Sequence, residues 1–181
     1  MMREPALVQR DIEATIVPGG QKYTIPKDAA VEITQALGGS YTVITPNGYM
    51  CRIDGKDGDA IGKEVLKGPS EEELKTKSTE ELIWDQLKTC YDPEIPVDIA
   101  NLGLVYRCDV TDHESGEGKN VFIQMTLTAP GCGMGDVLRQ DVRSKIEKLP
   151  NIKNCIVELV WDPQWNQGMM SDAAKLKLGM L

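Results

Sequence analysis

Apolar residues in the first third of the chain come in short runs broken by turn residues. Five such runs, at 11–17, 21–25, 30–33, 41–45 and 49–53, carry strand-type spacing. Pro18-Gly19-Gly20, Pro26-Lys27-Asp28, Gly38-Gly39 and Pro46-Asn47-Gly48 punctuate them. Runs this short and closely spaced predict a small all-β domain over residues 1–67, a barrel or a sandwich. Residues 68–77, GPSEEELKTK, are charged and lack a broad apolar face. They read as a linker with room for a short helical turn.

The pattern changes at Ser78. Ser78 and Glu81 form a capping-box signature, and Leu82, Ile83, Leu87 and Cys90 follow at helical spacing. Pro93 and Pro96 end that helix. Leu104–Val110 alternates as a strand, with Leu104, Tyr106, Cys108 and Val110 on one face and Arg107 and Asp109 on the other. A polar hairpin loop over 111–120 leads to a second strand, Val121–Thr128. A helix over 135–149 presents Leu138, Val142, Ile146 and Leu149. A third strand, Cys155–Trp161, and a short helix over 171–178 complete the chain. This order predicts an α+β, two-layer domain over 78–181: a mixed sheet of three or more strands with helices on one face.

Charge narrows the function classes. The 181 residues carry a formal net charge of −8, which argues against nonspecific nucleic-acid or anionic-membrane partners. No apolar run approaches a membrane span, and the first residues, MMREPALVQRDIEA, lack the apolar core of a signal peptide. The expected location is the cytoplasm. Five cysteines, at 51, 90, 108, 132 and 155, form no CxxC pair, so neither a zinc ribbon nor a disulfide framework is expected. The single histidine, His113, lies in the polar stretch DHESGEGKN, so any Cys–His pair would have to use it.

Cys132 stands apart. In TLTAPGCGMGD (126–136) it falls where a strand hands over to a helix N-terminus, whose N–H groups and dipole favour thiolate over thiol. Gly131, Gly133 and Gly135 leave the backbone bare for close approach. A buried cysteine acting as a small hydrophobe is the competing reading, but a core residue needs no glycine-rich, helix-capping setting. Met134 beside it is either a soft donor or a gap filler. Asp92 and Glu94 flank Pro93 just past a helix end. They are either turn residues or acceptors beside the Cys132 loop. Thr126 and Thr128 precede that loop on one strand face and serve the strand, or a hydrogen bond to Asp92 or the thiolate. Trp161 and Trp165 bracket Asp162-Pro163, capping the sheet or meeting a partner.

These segments together resemble a known family. YDPEIPVDIANLGLVY (91–106), MTLTAPGC (125–132) and VELVWDPQW (157–165) are similar to the small domain of SufT-type iron–sulfur cluster assembly proteins. That family includes the eukaryotic cytosolic iron–sulfur assembly targeting component and PaaD-type accessory proteins. ITQALGGSYTV (33–43) resembles the N-terminal extension of the bacterial SufT branch. The resemblance implies an iron–sulfur assembly-like fold and a non-enzymatic, auxiliary role in cluster assembly or transfer. It places the family's cysteine, a metal ligand or transient sulfur contact, on Cys132. The acidic turn falls on Asp92, Pro93 and Glu94, and the threonine on Thr128, with Thr126 two residues earlier. Many relatives have proline where this chain has Gly133, and SufT-like members often carry glycine there. The implied partners are the iron–sulfur assembly machinery and apo client proteins.

Clusters usually take four thiolates, so one cysteine per chain does not suffice. Either a transient cluster is shared between two chains, as a homodimer would allow, or no stable cluster is held and none is tightly bound. The alternatives are a thiol enzyme with Cys132 as nucleophile, and a protein-interaction adaptor whose cysteine is structural.

Overall fold

The computed structural model describes residues 3–181 apart from 18, 38, 66–67, 93–94 and 131–134. It divides into two compact units, Met1–Ser70 and Glu71–Leu181.

The first unit is one antiparallel sheet of six strands. They are β1 (Glu4–Leu7), β2 (Ile12–Ile16), β3 (Lys22–Ile25), β4 (Ala30–Leu37), β5 (Ser40–Ile44) and β6 (Met50–Asp54). The spatial order is β1-β4-β5-β6-β2-β3. Alternating residues point inward: Ile12 and Ala14, Val31 and Ile33, Tyr41 and Val43, Cys51 and Ile53. All belong to one apolar cluster with Val8, Ile25, Ala60 and Ile61, so the sheet coils around a single interior. The β1–β4 pairing runs on past the strand ends into the β3–β4 connection. Val8 N–H donates to Ala29 O at 3.0 Å, and Asp28 N–H to Val8 O at 2.7 Å. A strand lies in each of the five predicted runs. β1 was not expected: it is short, contains Pro5 and shows no inward alternation, so it is an edge strand without a sequence signal.

The segment read as a linker carries a helix, α1 (Glu71–Thr76), with no buried residue. Lys77 Nζ holds it to the next helix, reaching Glu73 Oε1 at 2.9 Å and Asp85 Oδ2 at 2.7 Å.

The second unit begins its core with α2 (Thr79–Leu87). Ser78 caps α2 reciprocally: Glu81 N–H donates to Ser78 Oγ at 3.2 Å, and Ser78 N–H to Glu81 Oε2 at 2.7 Å. Then follow β7 (Val105–Asp112), β8 (Lys119–Met125), α3 (Gly135–Glu147), β9 (Ile152–Leu159) and α4 (Asp172–Lys177). The sheet order is β7-β8-β9, with β7 and β8 antiparallel and β8 and β9 parallel. Val121, Ile123, Met125, Cys155 and Val157 face a core shared with Leu82, Ile83 and Leu87 of α2 and with Leu138, Val142 and Ile146 of α3. The opposite face carries mostly polar side chains together with Phe122 and Ile156. There Gln124 Nε2 donates to Glu158 Oε2 at 2.7 Å, and Ile156 is 61% exposed. This is the expected α+β, two-layer arrangement of a mixed three-stranded sheet.

Two expectations about the strands change. A β-bulge between Val105 and Arg107 shifts the register, so Val105, Cys108 and Val110 pack against the core and Tyr106 leaves their row. The predicted strand Val121–Thr128 starts and stops earlier. The ladder already pairs Asp112 with Lys119, and Thr126 N–H turns to Leu104 O at 2.9 Å. No helix among the described residues is long and apolar enough to cross a membrane.

The second unit has its own core and its own capped first core helix. A chain beginning at Pro69 is therefore expected to melt cooperatively on its own. A molten or insoluble product would show that residues before Pro69 are needed to complete this fold.

Candidate functional site

The crossover from β8 through α3 to parallel β9 puts the segment after Met125 at the C-terminal end of β8. There the structure joins two residues that lie far apart in sequence. Thr128 Oγ1 donates to Asp92 Oδ2 at 3.2 Å. Ile95 N–H donates to the other carboxylate oxygen, Oδ1, at 3.0 Å. Asp92 is 2% exposed. Its turn is pinned by a bridge between Tyr91 and Asp98, and by Ile99 N–H donating to Cys90 O at 2.8 Å. Upstream, half-buried Lys145 of α3 donates to Thr89 O at 2.8 Å and pairs with Asp141 at 3.3 Å. That places a cation at the C-terminal end of α2, where the helix dipole favours it. The same bond ties α3 to the chain entering the Asp92 turn.

Cys132, Gly131, Gly133 and Met134 lie outside the described residues, as do Pro93 and Glu94. What the structure gives is the frame that brackets them. The segment 131–134 connects Pro130 to Gly135, the first residue of α3. A Cβ on Gly135 would sit 2.8 Å from Leu127 Cδ1 and 3.3 Å from Leu159 Cδ1, so the helix start presses against the ends of β8 and β9.

Thr126 does not join Asp92. It lies just past the end of β8 and is 1% exposed. Nearby in the fold, the Tyr106 O–H donates to Pro163 O at 2.8 Å. Burial is the main cause of a raised Tyr106 pKa. The Trp161–Trp165 segment divides its roles. Trp165 Nε1–H donates to Leu102 O at 2.8 Å, whereas Trp161 is 47% exposed. Gly103 has φ +74, and a Cβ there would lie 2.2 Å from Met169 O, so only glycine lets these two loops meet. Asn101 receives the Ser171 hydroxyl at 2.8 Å and fixes the N-cap of α4. Sequence reasoning missed Tyr106 and Asn101 as site-building residues, because bulges and loop-to-loop bonds leave no periodic signal.

The other thiols are held in place as packing. Cys51, Cys90 and Cys155 are buried and Cys108 is half-buried, none in a disulfide. Burial raises the Cys51 pKa. Burial first, then Glu80 and Asp109, pushes Cys108 up to about 11. Burial, then Glu147, pushes Cys155 up to about 12. Cys90 lies just past the end of α2, which stops short of the predicted helix, and its Sγ donates back to Gln86 O at 3.5 Å.

His113 sits in the β7–β8 hairpin turn, its Nδ1 2.8 Å from Ser115 Oγ. The seven residues of β8 separate that turn from Thr126, roughly 20 Å at strand rise. Among the described residues, no group of three or more His, Cys, Asp or Glu side chains could hold a metal ion.

Comparison with known proteins adds a family. Residues 80–159 match the model of a family described as iron-sulfur cluster assembly protein. A protein of Porphyromonas gingivalis named Fe-S protein maturation auxiliary factor is 46% identical over 103 residues, 57% of this chain and 93% of that protein. The Fe-S protein maturation auxiliary factor SufT of Staphylococcus aureus is 43% identical over 49% of this chain and 96% of its own length. The Fe-S protein maturation auxiliary factor YitW of Bacillus subtilis is 41% identical over 58% of this chain and 97% of its own.

Proposed function

Because the chain belongs to the iron–sulfur cluster assembly family, we propose that it serves iron–sulfur protein maturation through the Cys132 thiolate. Its role is that of an auxiliary factor in cluster assembly or transfer. The observation that supports Cys132 is the frame around it. The loop that carries it leaves the C-terminal end of β8 from a threonine anchored on a buried carboxylate, and it enters α3 directly. Amides at a helix start stabilise a thiolate.

Asp92 is read as an anchor rather than a ligand, since both of its oxygens already accept hydrogen bonds. Iron–sulfur cargo needs about four thiolates. One thiolate per chain therefore acts within a set completed by a second copy, a donor protein or the client. The contact is transient by construction, and the partners are the cluster donor and the apo client. A reducing compartment such as the cytoplasm, where thiols stay reduced, suits this chemistry.

A thiol enzyme is the weaker reading. Its base would have to be a carboxylate or His113; both oxygens of Asp92 already accept hydrogen bonds, and the loop's two ends lie a full β8 length from the His113 turn.

Brief, limiting alkylation of the native protein followed by peptide mapping tests the assignment. Cys132 is expected to label first, because burial disfavours thiolate at Cys51, Cys108 and Cys155. Preferential labelling of Cys90, Cys108 or Cys155 would contradict it.

A further inference from the structure

We infer that Trp161 anchors a docking surface for a basic segment of a protein partner. The inference deepens the function proposed above by giving the partner's chemistry, and it rests on that function only for what the partner delivers or receives.

β9 runs parallel to β8 with Leu159 opposite Met125, so both strands end on the same side of the sheet. Trp161 lies two residues beyond Leu159, as Thr128 lies three beyond Met125. The chain around Trp161 is fixed. Val160 N–H donates to Met125 O, the Tyr106 O–H to Pro163 O and Trp165 Nε1–H to Leu102 O, each at 2.8 Å. Ser171 N–H closes the far end of the segment on Asn101 O at 2.8 Å. Within this held loop Trp165 serves the fold, whereas Trp161 is 47% exposed. An indole presented on a fixed backbone offers a large apolar area with few rotamers to freeze, as interface anchors do.

Charge selects the occupant. Segments 91–106, 125–138 and 157–174 meet at this end of the sheet. Thr128 with Asp92, Thr126 N–H with Leu104 O, and the Val160 and Trp165 bonds join them. None of the chain's 20 Lys and Arg residues falls in these segments, whereas seven of its 28 Asp and Glu do. Cations reaching in from flanking helices are already engaged. Arg139 pairs with Asp136 at 3.0 Å, Lys145 with Asp141 at 3.3 Å, and Lys177 lies over the Tyr91 ring. Asp162, exposed, follows Trp161 directly. An arginine or lysine of the partner can therefore lie on the indole face while its charge meets the Asp162 carboxylate. The same field repels nucleic acid and anionic lipid. It also opposes a second copy, which would bring like charge against like.

The test titrates the isotope-labelled full chain with a capped hexapeptide that alternates arginine with leucine. Nuclear magnetic resonance follows the indole N–H signals of Trp84, Trp161 and Trp165, each assigned through its phenylalanine variant. The Trp161 signal is expected to move saturably while the other two hold still. Asp162→Asn should weaken binding roughly threefold, the size of an exposed charge pair, and added salt should weaken it in the parent. A Trp161 signal that stays put at millimolar peptide would overturn the proposal. So would equal movement of Trp84, or an equal response to the matching glutamate peptide. A shift on dilution alone would overturn it too, since that marks a second copy on this surface. Cys132→Ser is expected to bind the peptide as the parent does. Full client maturation by that variant would remove the role of the thiol and leave the docking surface standing, whereas a silent Trp161 would remove the docking surface alone.

Discussion

Cys132→Ser is expected to abolish maturation of iron–sulfur clients while leaving the fold intact. Serine is nearly isosteric with cysteine, so stability should change by no more than about 1 kcal/mol. Its hydroxyl stays protonated near neutral pH and is a poor ligand for iron, so metal contact and sulfur transfer both fail. The measurement is client enzyme activity in a strain carrying only the variant under iron limitation, with the melting temperature of the purified protein beside it. Full activity with an unchanged melt would show that Cys132 is not the working residue. Lost activity with a large fall in melting temperature would identify a structural cysteine instead.

The second large effect falls on stability. Asp92 is 2% exposed, and it accepts hydrogen bonds from Ile95 N–H and Thr128 Oγ1. Asp92→Ala leaves the part-buried Ile95 N–H and Thr128 hydroxyl without their acceptor, and each stranded donor costs about 1–3 kcal/mol, so a loss of about 2–6 kcal/mol is expected. Asp92→Asn keeps an oxygen for Ile95, and its amide can donate to the Thr128 hydroxyl. That variant should lose no more than about 1 kcal/mol. Urea unfolding of the three proteins decides the matter. Equal stability of the alanine variant would mean that this carboxylate does not hold the turn to the strand exit.

Much of this architecture could be read from local pattern. Ser78 with Glu81 announced the start of α2, and Leu138, Val142 and Ile146 gave the buried stripe of α3 through their spacing. Asp92 and Thr128 were singled out by residue type and position, although nothing local says that they meet. Their bond is a tertiary contact across 36 residues of chain, and so is the Lys145 bond to Thr89 O just upstream of the Asp92 turn. Tyr106 was misplaced for a physical reason. A bulge adds one residue to a strand without altering its composition, so strict alternation assigned the phenol to the core row. β1 was missed because an edge strand with an exposed pattern carries no hydrophobic signature. The helix α1 was not predicted as a full element because it buries nothing. Its charged residues earn their place through Lys77, which links Glu73 to Asp85.

The central claim is that this chain speeds cluster delivery through Cys132. The most direct measurement mixes, without oxygen, a cluster-loaded donor protein and an apo enzyme whose activity reports its iron–sulfur cluster. The full chain or its Cys132→Ser variant is then added, and the rate at which activity appears is recorded. The account expects the parent protein to accelerate activation and the variant to leave the unassisted rate unchanged. Equal acceleration by both proteins would contradict it.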